Sequence, residues 1–231
     1  MKVGIVAEGR GDIAVIINIL KGKLGINKSD IKPLRPEYQY DQTDLAQMPD
    51  NFFSNWTLVK EKCINNEDLE IFLSLNDNAF LVIQIDTAER GEKGYEVFDP
   101  NKKDLSHEDY CISLRYNVID KIKSWMNNQL DEQIAYAICI EETEAWILTL
   151  YDQHNTSNSA NPKEKLNNIL PQRIANKDRH ILSEKDEFKK MSKLSEKFSK
   201  KKELNQAIQK NKSLYLFCAS LEKFHSKHSN N

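Results

Sequence analysis

The sequence has few cysteines, and none of them are paired in a motif. Cys63, Cys111, Cys139 and Cys218 are scattered, and no CxxC spacing occurs among them. This spacing is typical of reduced cysteines in a cytosolic protein and excludes a disulfide framework. The five histidines are equally isolated and there is no HExxH motif, so the sequence offers no zinc site of the common kinds.

Long apolar runs are also lacking. No segment approaches the ~20 apolar residues that a membrane-spanning helix needs. The first residues lead directly into a predicted strand, without the apolar core of a secretory signal. We therefore expect a cytoplasmic protein that does not associate with a membrane.

Charge is distributed unevenly along the chain. Residues 1–150 contain 16 Lys and Arg against 26 Asp and Glu, a net charge of −10, whereas residues 151–231 contain 17 against 9, a net charge of +8. This asymmetry favours two parts: an acidic core over 1–150, suited to metal ions, and a basic helical extension over 151–231, suited to a polyanion. The alternative is that the lysines only solvate the outer faces of surface helices.

The start of the chain predicts a strand, a turn and a helix. The apolar strand ends in Glu8, and Asp12 is expected to cap an amphipathic helix over residues 13–24. Glu8 stands at the carboxyl end of a buried strand, where open α/β sheets place their active sites. The alternative is a structural acid that pairs with Arg10 or Arg90.

Two later apolar runs also end in acids. Residues 79–86 predict a central parallel strand that ends in Asp86, and residues 134–140 predict another strand. Three acids follow the second of these strands: Glu141, Glu142 and Glu144. Helices are predicted between the strands, so we expect an α/β fold with a mostly parallel, Rossmann-like sheet flanked by helices. The acids then gather at one sheet edge, where like charges need a cation to offset them.

The remaining segments are predicted to be mostly helical, with an apolar stripe near the end that packs on the rest of the protein. Residues 31–36 predict an edge strand or a loop, residues 37–55 a surface excursion and residues 152–161 a linker or a loop. Helices are predicted over residues 56–75 (with a break near Asn65 and Asn66), 107–130, 162–170, 184–198 and 203–224. The apolar stripe consists of Leu214, Phe217, Leu221 and Phe224.

The acids at the strand ends are hard oxygen ligands, which suit Mg²⁺ or Mn²⁺ rather than zinc. Mg²⁺ is typically held by one or two carboxylates together with substrate phosphates, and it then polarises a phosphoryl oxygen and activates water. We therefore expect a magnesium or manganese site formed by Glu8, Asp86, Glu141 and Glu144.

The same segments resemble the Toprim domain, which topoisomerases, bacterial primases, recombination proteins and OLD-family nucleases share. The resemblance rests on residues 6–12, a strand ending in Glu and followed by Gly-x-x-Asp, and on residues 81–86, an apolar strand ending in Asp. Residues 140–148 resemble more specifically a small stand-alone Toprim-like family of bacterial and phage-defence loci. Residues 212–217 are similar to the C-terminal helix of that family.

The resemblance implies a Toprim-like fold and a metal-dependent nuclease. In that case Glu8 acts as general acid/base or metal ligand, Asp86 binds Mg²⁺, and Glu141 or Glu144 is the third acid, with Glu144 matching the family motif better. We therefore expect Mg²⁺-dependent cleavage of DNA or RNA, with Glu8, Asp86 and Glu144 as catalytic residues. A role as an antiphage defence effector is implied by the resemblance alone. A protein partner that controls activity is also expected, because an unrestrained nuclease harms its host.

One departure from the Toprim pattern leaves a second function open. Toprim domains usually carry Asp-x-Asp on the second strand, whereas Ala88 occupies the second position here. Glu89 or an acid after the third strand could replace that ligand. Otherwise the metal is held weakly, and the protein is a non-catalytic subunit of a defence complex that senses nucleic acid or binds a partner.

The opening segment also fits a different motif. Residues 9–14 match the GxGxx(G/A) fingerprint of dinucleotide-binding proteins. In such a site, Glu8 and Asp12 would place negative charge beside the pyrophosphate, where the fold needs a place for anions. We therefore disfavour dinucleotide binding.

Overall fold

The structure is a computed structural model that describes residues 1–36, 56–157 and 159–226. The surface excursion predicted for residues 37–55 lies outside these ranges. Among the helices described, none has the length and apolar character required to cross a bilayer.

Four parallel strands form the central sheet, in the spatial order β2-β1-β3-β4. The strands are β1 (Lys2–Val6), β2 (Ile31–Arg35), β3 (Ala79–Asp86) and β4 (Ile134–Cys139). The predicted α/β class and parallel sheet are confirmed. The strand β2 lies at the sheet edge, which is where a strand containing Pro33 is tolerated.

Helices cover both faces of this sheet. They are α1 (Arg10–Leu24), α2 (Trp56–Ile64), α3 (Glu67–Ser74), α4 (His107–Trp125), α5 (Glu144–Leu148), α6 (Pro162–Arg173), α7 (Glu187–Leu194), α8 (Lys201–Ala207), α9 (Lys212–Ser220) and α10 (Glu222–Ser226). The break predicted near Asn65 and Asn66 separates α2 from α3.

Side chains of β3 alternate between two hydrophobic clusters. Phe80 and Val82 pack with α1 and the C-terminal helices, whereas Leu81, Ile83 and Ile85 pack with α2, α3 and α4. Because side chains alternate with period two along a strand, Gln84 and Asp86 continue the α1 face. A polar residue and an acid therefore lie at the end of an otherwise apolar row.

The helix α1 begins three residues earlier than predicted. Its N-cap residue is Gly9, which is extended (φ −141°, ψ 168°), so the prediction that Asp12 caps the helix is wrong. Asp12 lies at the third helical position, where the nearby Gly9 N–H lowers the pKa of its carboxyl group and its charge suits the positive end of the helix dipole. The helix ends at Gly25, whose left-handed backbone (φ 68°) lets its N–H bond the Lys21 carbonyl.

Polar residues divide the predicted C-terminal helices into shorter ones. The predicted helix at residues 203–224 is interrupted before α9, because the Asn211 side chain accepts the Leu214 N–H and begins a new helix. In the same way, Asp186 caps α7 by accepting the Lys189 N–H. The predicted helical character of these segments is confirmed, but the capping residues that divide them were not predicted.

The C-terminal helices pack on the α1 face of the sheet. The Phe80 and Phe224 rings stack with centroids 4.2 Å apart, and the Trp146 and Phe217 rings stack at 5.5 Å. One hydrophobic cluster includes residues from before and after position 150. The division into a core and an extension at that position stays an interpretation of composition. Every residue of the predicted apolar stripe is buried: Leu214, Phe217, Leu221 and Phe224.

Gly22 offers a test of this packing. A Cβ at Gly22 would lie 1.9 Å from the carbonyl oxygen of Phe198, in the turn at Glu196–Ser199. Although Ala is about 1 kcal/mol better than Gly inside a helix, we expect Gly22→Ala to lower the free energy of unfolding by about 2 kcal/mol, measured by urea denaturation. The control is Gly91→Ala, whose Cβ would meet nothing within 4 Å. An unchanged stability for Gly22→Ala would contradict the contact.

Candidate functional site

The carboxyl ends of β1 and β3 bring Glu8 and Asp86 together. The two strands are adjacent and parallel, with Val6 beside Ile83, so both acids emerge at the same edge of the sheet. Glu8 is only 6% exposed, and its Oε1 accepts a hydrogen bond from the Asp86 backbone N–H at 2.6 Å. Two of the predicted site residues are therefore in direct contact.

Gln84 joins these two acids, and sequence analysis missed it. The fully buried side chain accepts the Glu8 N–H at its Oε1 (3.0 Å) and donates from its Nε2 to Asp86 Oδ1 (2.8 Å). A backbone N–H can only donate, so Oε1 must face Glu8 and the amide orientation is fixed. The available signal was the one polar residue inside the apolar run at residues 79–85.

Thr143 is a second residue that sequence analysis missed. It is fully buried just after β4, and its hydroxyl donates to Asp86 Oδ1 (3.1 Å) while accepting from Gln84 Nε2 (3.2 Å). The same hydroxyl lies close enough to Asp12 to lower the pKa of that carboxyl group. Thr143 therefore links the end of β4 to acids from β3 and α1.

Burial and like charge raise the pKa values of the two contacting acids. Burial raises the pKa of Glu8 to about 8; the Asp86 N–H opposes this shift, and the charges of Asp12 and Glu89 add to it. Burial also raises the pKa of Asp86 well above its usual range, and the charges of Asp12, Glu8 and Glu144 raise it further. The two carboxyl groups therefore interact electrostatically with their acidic neighbours, and the charge of Glu8 acts on Asp86.

Asp12 and Glu144 complete a group of four acids, which we call the acid cluster (Glu8, Asp12, Asp86 and Glu144). Burial raises the pKa of Glu144 to about 7, and the charge of Asp12 adds to this shift. Burial raises the pKa of Asp12 to about 6, and the nearby Thr143 hydroxyl and Gly9 N–H oppose this shift. The predicted site residues Glu8, Asp86 and Glu144 thus belong to one electrostatic unit, together with the residue predicted to be only a cap.

Arg35 is a buried cation whose charge acts on Glu8 and Asp12, and it was also missed. It is 8% exposed at the end of β2, and its guanidinium donates to the backbone carbonyls of Ala7 and Glu8 rather than to a carboxylate. Burial lowers the pKa of Arg35 to about 10. The ion pairs within the described part of the chain leave all four members of the acid cluster unpaired.

The structure does not bring Glu141 into the acid cluster. Its backbone is left-handed (φ 62°), and its carboxylate lies 3.5 Å from Arg90 and 3.8 Å from Lys102. Arg90 pairs also with Asp99 at 2.9 Å, so it is not the partner of Glu8, one of the two pairings (with Arg10 or Arg90) that the structural alternative offered. Of the two late acids left open by the sequence, Glu144 is the one whose charge acts on Asp86.

The acid cluster has the donor chemistry for a hard cation but not a complete ligand shell. Across residues 1–36, 56–157 and 159–226, no three Cys, His, Asp or Glu side chains converge closely enough to hold a metal ion. Two carboxylates suffice for Mg²⁺ when phosphates and water complete its coordination. The Glu8 carboxylate contacts the Asp86 backbone and its charge acts on the Asp86 carboxyl group, so these two residues are the candidates for a cation that is shared with a substrate.

A cleft of about 480 Å³ opens at the start of α6, next to residues that follow β3 and β4. Ala88, Glu142, Lys163 and Asn167 are among the residues that line it. The Lys163 N–H donates to Glu142 Oε2 at 3.2 Å, and the positive charge of Lys163 acts on Glu144. The cleft therefore provides a polar space next to the strand ends.

Comparison with known proteins identifies no relative. No protein-family model matches the chain, and neither curated proteins nor solved structures give a match. The Toprim resemblance therefore stays an interpretation of the motifs at residues 6–12 and 81–86.

The raised pKa of Glu8 makes stability depend on pH. Between its ordinary pKa of 4.5 and about 8, the folded protein binds more protons than the unfolded chain, so the free energy of unfolding falls as pH rises. In metal-free buffer, we expect Tm to fall on the order of 5 °C from about pH 5 to about pH 8.5. Glu8→Gln should remove much of that fall, whereas Glu132→Gln, at an exposed position, should not. The check is thermal unfolding by circular dichroism; identical profiles for wild type and Glu8→Gln would contradict the assigned burial.

Proposed function

We propose that this protein is a Mg²⁺-dependent phosphodiesterase that cleaves nucleic acid, with the acid cluster as its catalytic centre. The observation that carries the proposal is the contact between Glu8 and Asp86 at a buried sheet edge, where no ion pair among the described residues offsets their charge. Ionised acids in such a place are unfavourable unless a cation neutralises them. Mg²⁺ and Mn²⁺ are the cations that prefer these oxygen ligands.

The proposal assigns roles to three members of the acid cluster. Glu8 and Asp86 would hold the cation, and Glu144 would be the third acid. When bound, the ion polarises the phosphoryl oxygen and activates the attacking water. The alternative role of Glu8 is that of general acid/base: without a bound cation its pKa is raised to about 8, so it can hold or release a proton near neutral pH.

The basic C-terminal helices would bind the phosphate backbone. Residues 151–231 carry a net charge of +8, and Lys163 at the start of α6 lines the cleft and acts electrostatically on Glu144. Lysines neutralise phosphates without reading sequence, so this contact suits DNA and RNA alike. A cytoplasmic role in antiphage defence, with a partner that restrains cleavage, is proposed from the motif resemblance alone.

A non-catalytic function is the second candidate. Ala88 stands where Toprim domains carry their second Asp, and Asp86 Oδ1 already accepts from Gln84 and Thr143. A protein with a weakly held metal would bind nucleic acid or a partner as the sensing subunit of a defence complex, without cutting.

A cleavage assay separates the two functions. Plasmid DNA and total RNA are incubated with the protein and Mg²⁺ or Mn²⁺, and we expect cleavage of at least one substrate. Glu8→Gln and Asp86→Asn should each lower the rate about 100-fold or more. Asp77→Asn, an exposed acid before the opposite end of β3, is the matched control and should cleave normally.

Two results would count against the catalytic proposal. Absence of cleavage with every divalent metal would remove it and leave the binding function. Full activity in both site variants would instead reject the acid cluster as the catalytic centre.

Glu144 and Glu141 allow a finer test of the third acid. Glu144 acts electrostatically on Asp86, whereas Glu141 pairs with Arg90 and Lys102. We expect Glu144→Gln to lower the initial cleavage rate about tenfold and Glu141→Gln to change it less than about twofold. The rates are measured at one saturating Mg²⁺ concentration, after circular dichroism shows that both variants are folded. The opposite ranking would assign the third acid to Glu141.

A further inference from the structure

We propose that Gln84 is a positioning residue that holds Glu8 and Asp86 in the arrangement that accepts a divalent cation. Three hydrogen bonds form a closed ring among these residues: Glu8 N–H to Gln84 Oε1 (3.0 Å), Gln84 Nε2 to Asp86 Oδ1 (2.8 Å), and Asp86 N–H to Glu8 Oε1 (2.6 Å). Each residue donates once and accepts once. The inference rests on the proposed function, because it concerns the same metal centre.

Packing of the sheet does not need an amide at this position. Phe80 and Val82 occupy the same face of β3 with apolar side chains that fill the cluster around α1. A fully buried amide costs about 1–3 kcal/mol when its hydrogen-bonding groups are left unpaired. Gln84 offsets this cost through contacts with the two acids and Thr143, so its polar groups serve the site.

The ring uses one oxygen of each carboxyl group and leaves the other available. Glu8 Oε1 and Asp86 Oδ1 accept the ring hydrogen bonds. Within the described residues, Glu8 Oε2 and Asp86 Oδ2 make no hydrogen bond, and neither is among the buried atoms without a partner. The ring therefore fixes both carboxyl groups while one oxygen of each remains free to bind a cation.

Two substitutions of Gln84 separate position from charge. Gln84→Met keeps the length and apolar contacts of the side chain but removes both ring hydrogen bonds. Gln84→Glu keeps an acceptor for the Glu8 N–H but places a second carboxylate oxygen beside Asp86 Oδ1, which lies 2.8 Å from the present donor. If only charge mattered, Gln84→Glu would bind a cation more tightly than wild type. If position matters, both variants bind it more weakly.

The test is the affinity for Mn²⁺ alone, measured on the full chain by electron paramagnetic resonance of the free ion. We expect Gln84→Met to weaken Mn²⁺ binding about tenfold, and Gln84→Glu to weaken it as well despite its added negative charge. Gln133→Glu adds the same charge at an exposed position before β4, at the opposite end of the sheet, and should bind as wild type does. A purely structural role would lower Tm without changing the affinity of the folded fraction.

The outcomes distinguish this inference from the proposed function. If wild type binds no Mn²⁺, the metal centre itself is rejected, and the inference with it. If wild type binds Mn²⁺ and either Gln84→Met binds equally well or Gln84→Glu binds more tightly, only the role of Gln84 is overturned. If Gln84→Met does not fold, Gln84→Glu decides, because it retains the acceptor for Glu8.

Discussion

The site depends on one constraint: the repulsion between buried carboxylates that are held together at the carboxyl edge of the sheet. Parallel pairing of β1 with β3 forces Glu8 and Asp86 into the same small volume, and the surrounding layers exclude much of the water that would otherwise screen them. Burial shifts both pKa values upward, the charge of Asp12 from α1 raises both further, and Glu144 from α5 adds to the shift of Asp86. The protein therefore either holds protons at this edge or takes up a cation.

The hydrogen bonds around these acids act as supports rather than as neutralising charges. Gln84 and Thr143 contribute uncharged donors, and Arg35 directs its guanidinium to backbone carbonyls. Such contacts fix the positions of the carboxyl groups but leave their charge largely in place. This is the arrangement expected where a positive ligand, rather than a fixed arginine or lysine, completes the electrostatics.

The sheet and the principal acids could be predicted because their signals are local: an apolar run ending in an acid identifies Glu8 and Asp86 from neighbouring residues alone. The motif resemblance favours Glu144 over Glu141, but no local pattern separates the two acids, because the difference depends on a left-handed backbone at Glu141 that turns the side chain towards Arg90. The position of Arg35 beside the acid cluster depends on the pairing of β2 with β1, which no local sequence pattern reveals. Helix boundaries failed at caps, where one hydrogen bond outweighs the average propensity of a segment.

The hydrophobic cluster shared across position 150 has a consequence for how this chain can be divided. Residues 1–150 and 151–231 differ in net charge, yet apolar side chains from both parts pack against the same residues of α1 and β3. A fragment that ended at residue 150 would expose the apolar α1 face of the sheet to water as a large hydrophobic patch, which favours aggregation over a smaller folded unit. The lysine-rich segment therefore belongs to the same packed layer as the elements that carry the acids, and a chain shortened at residue 150 would lose that layer along with the positive charge.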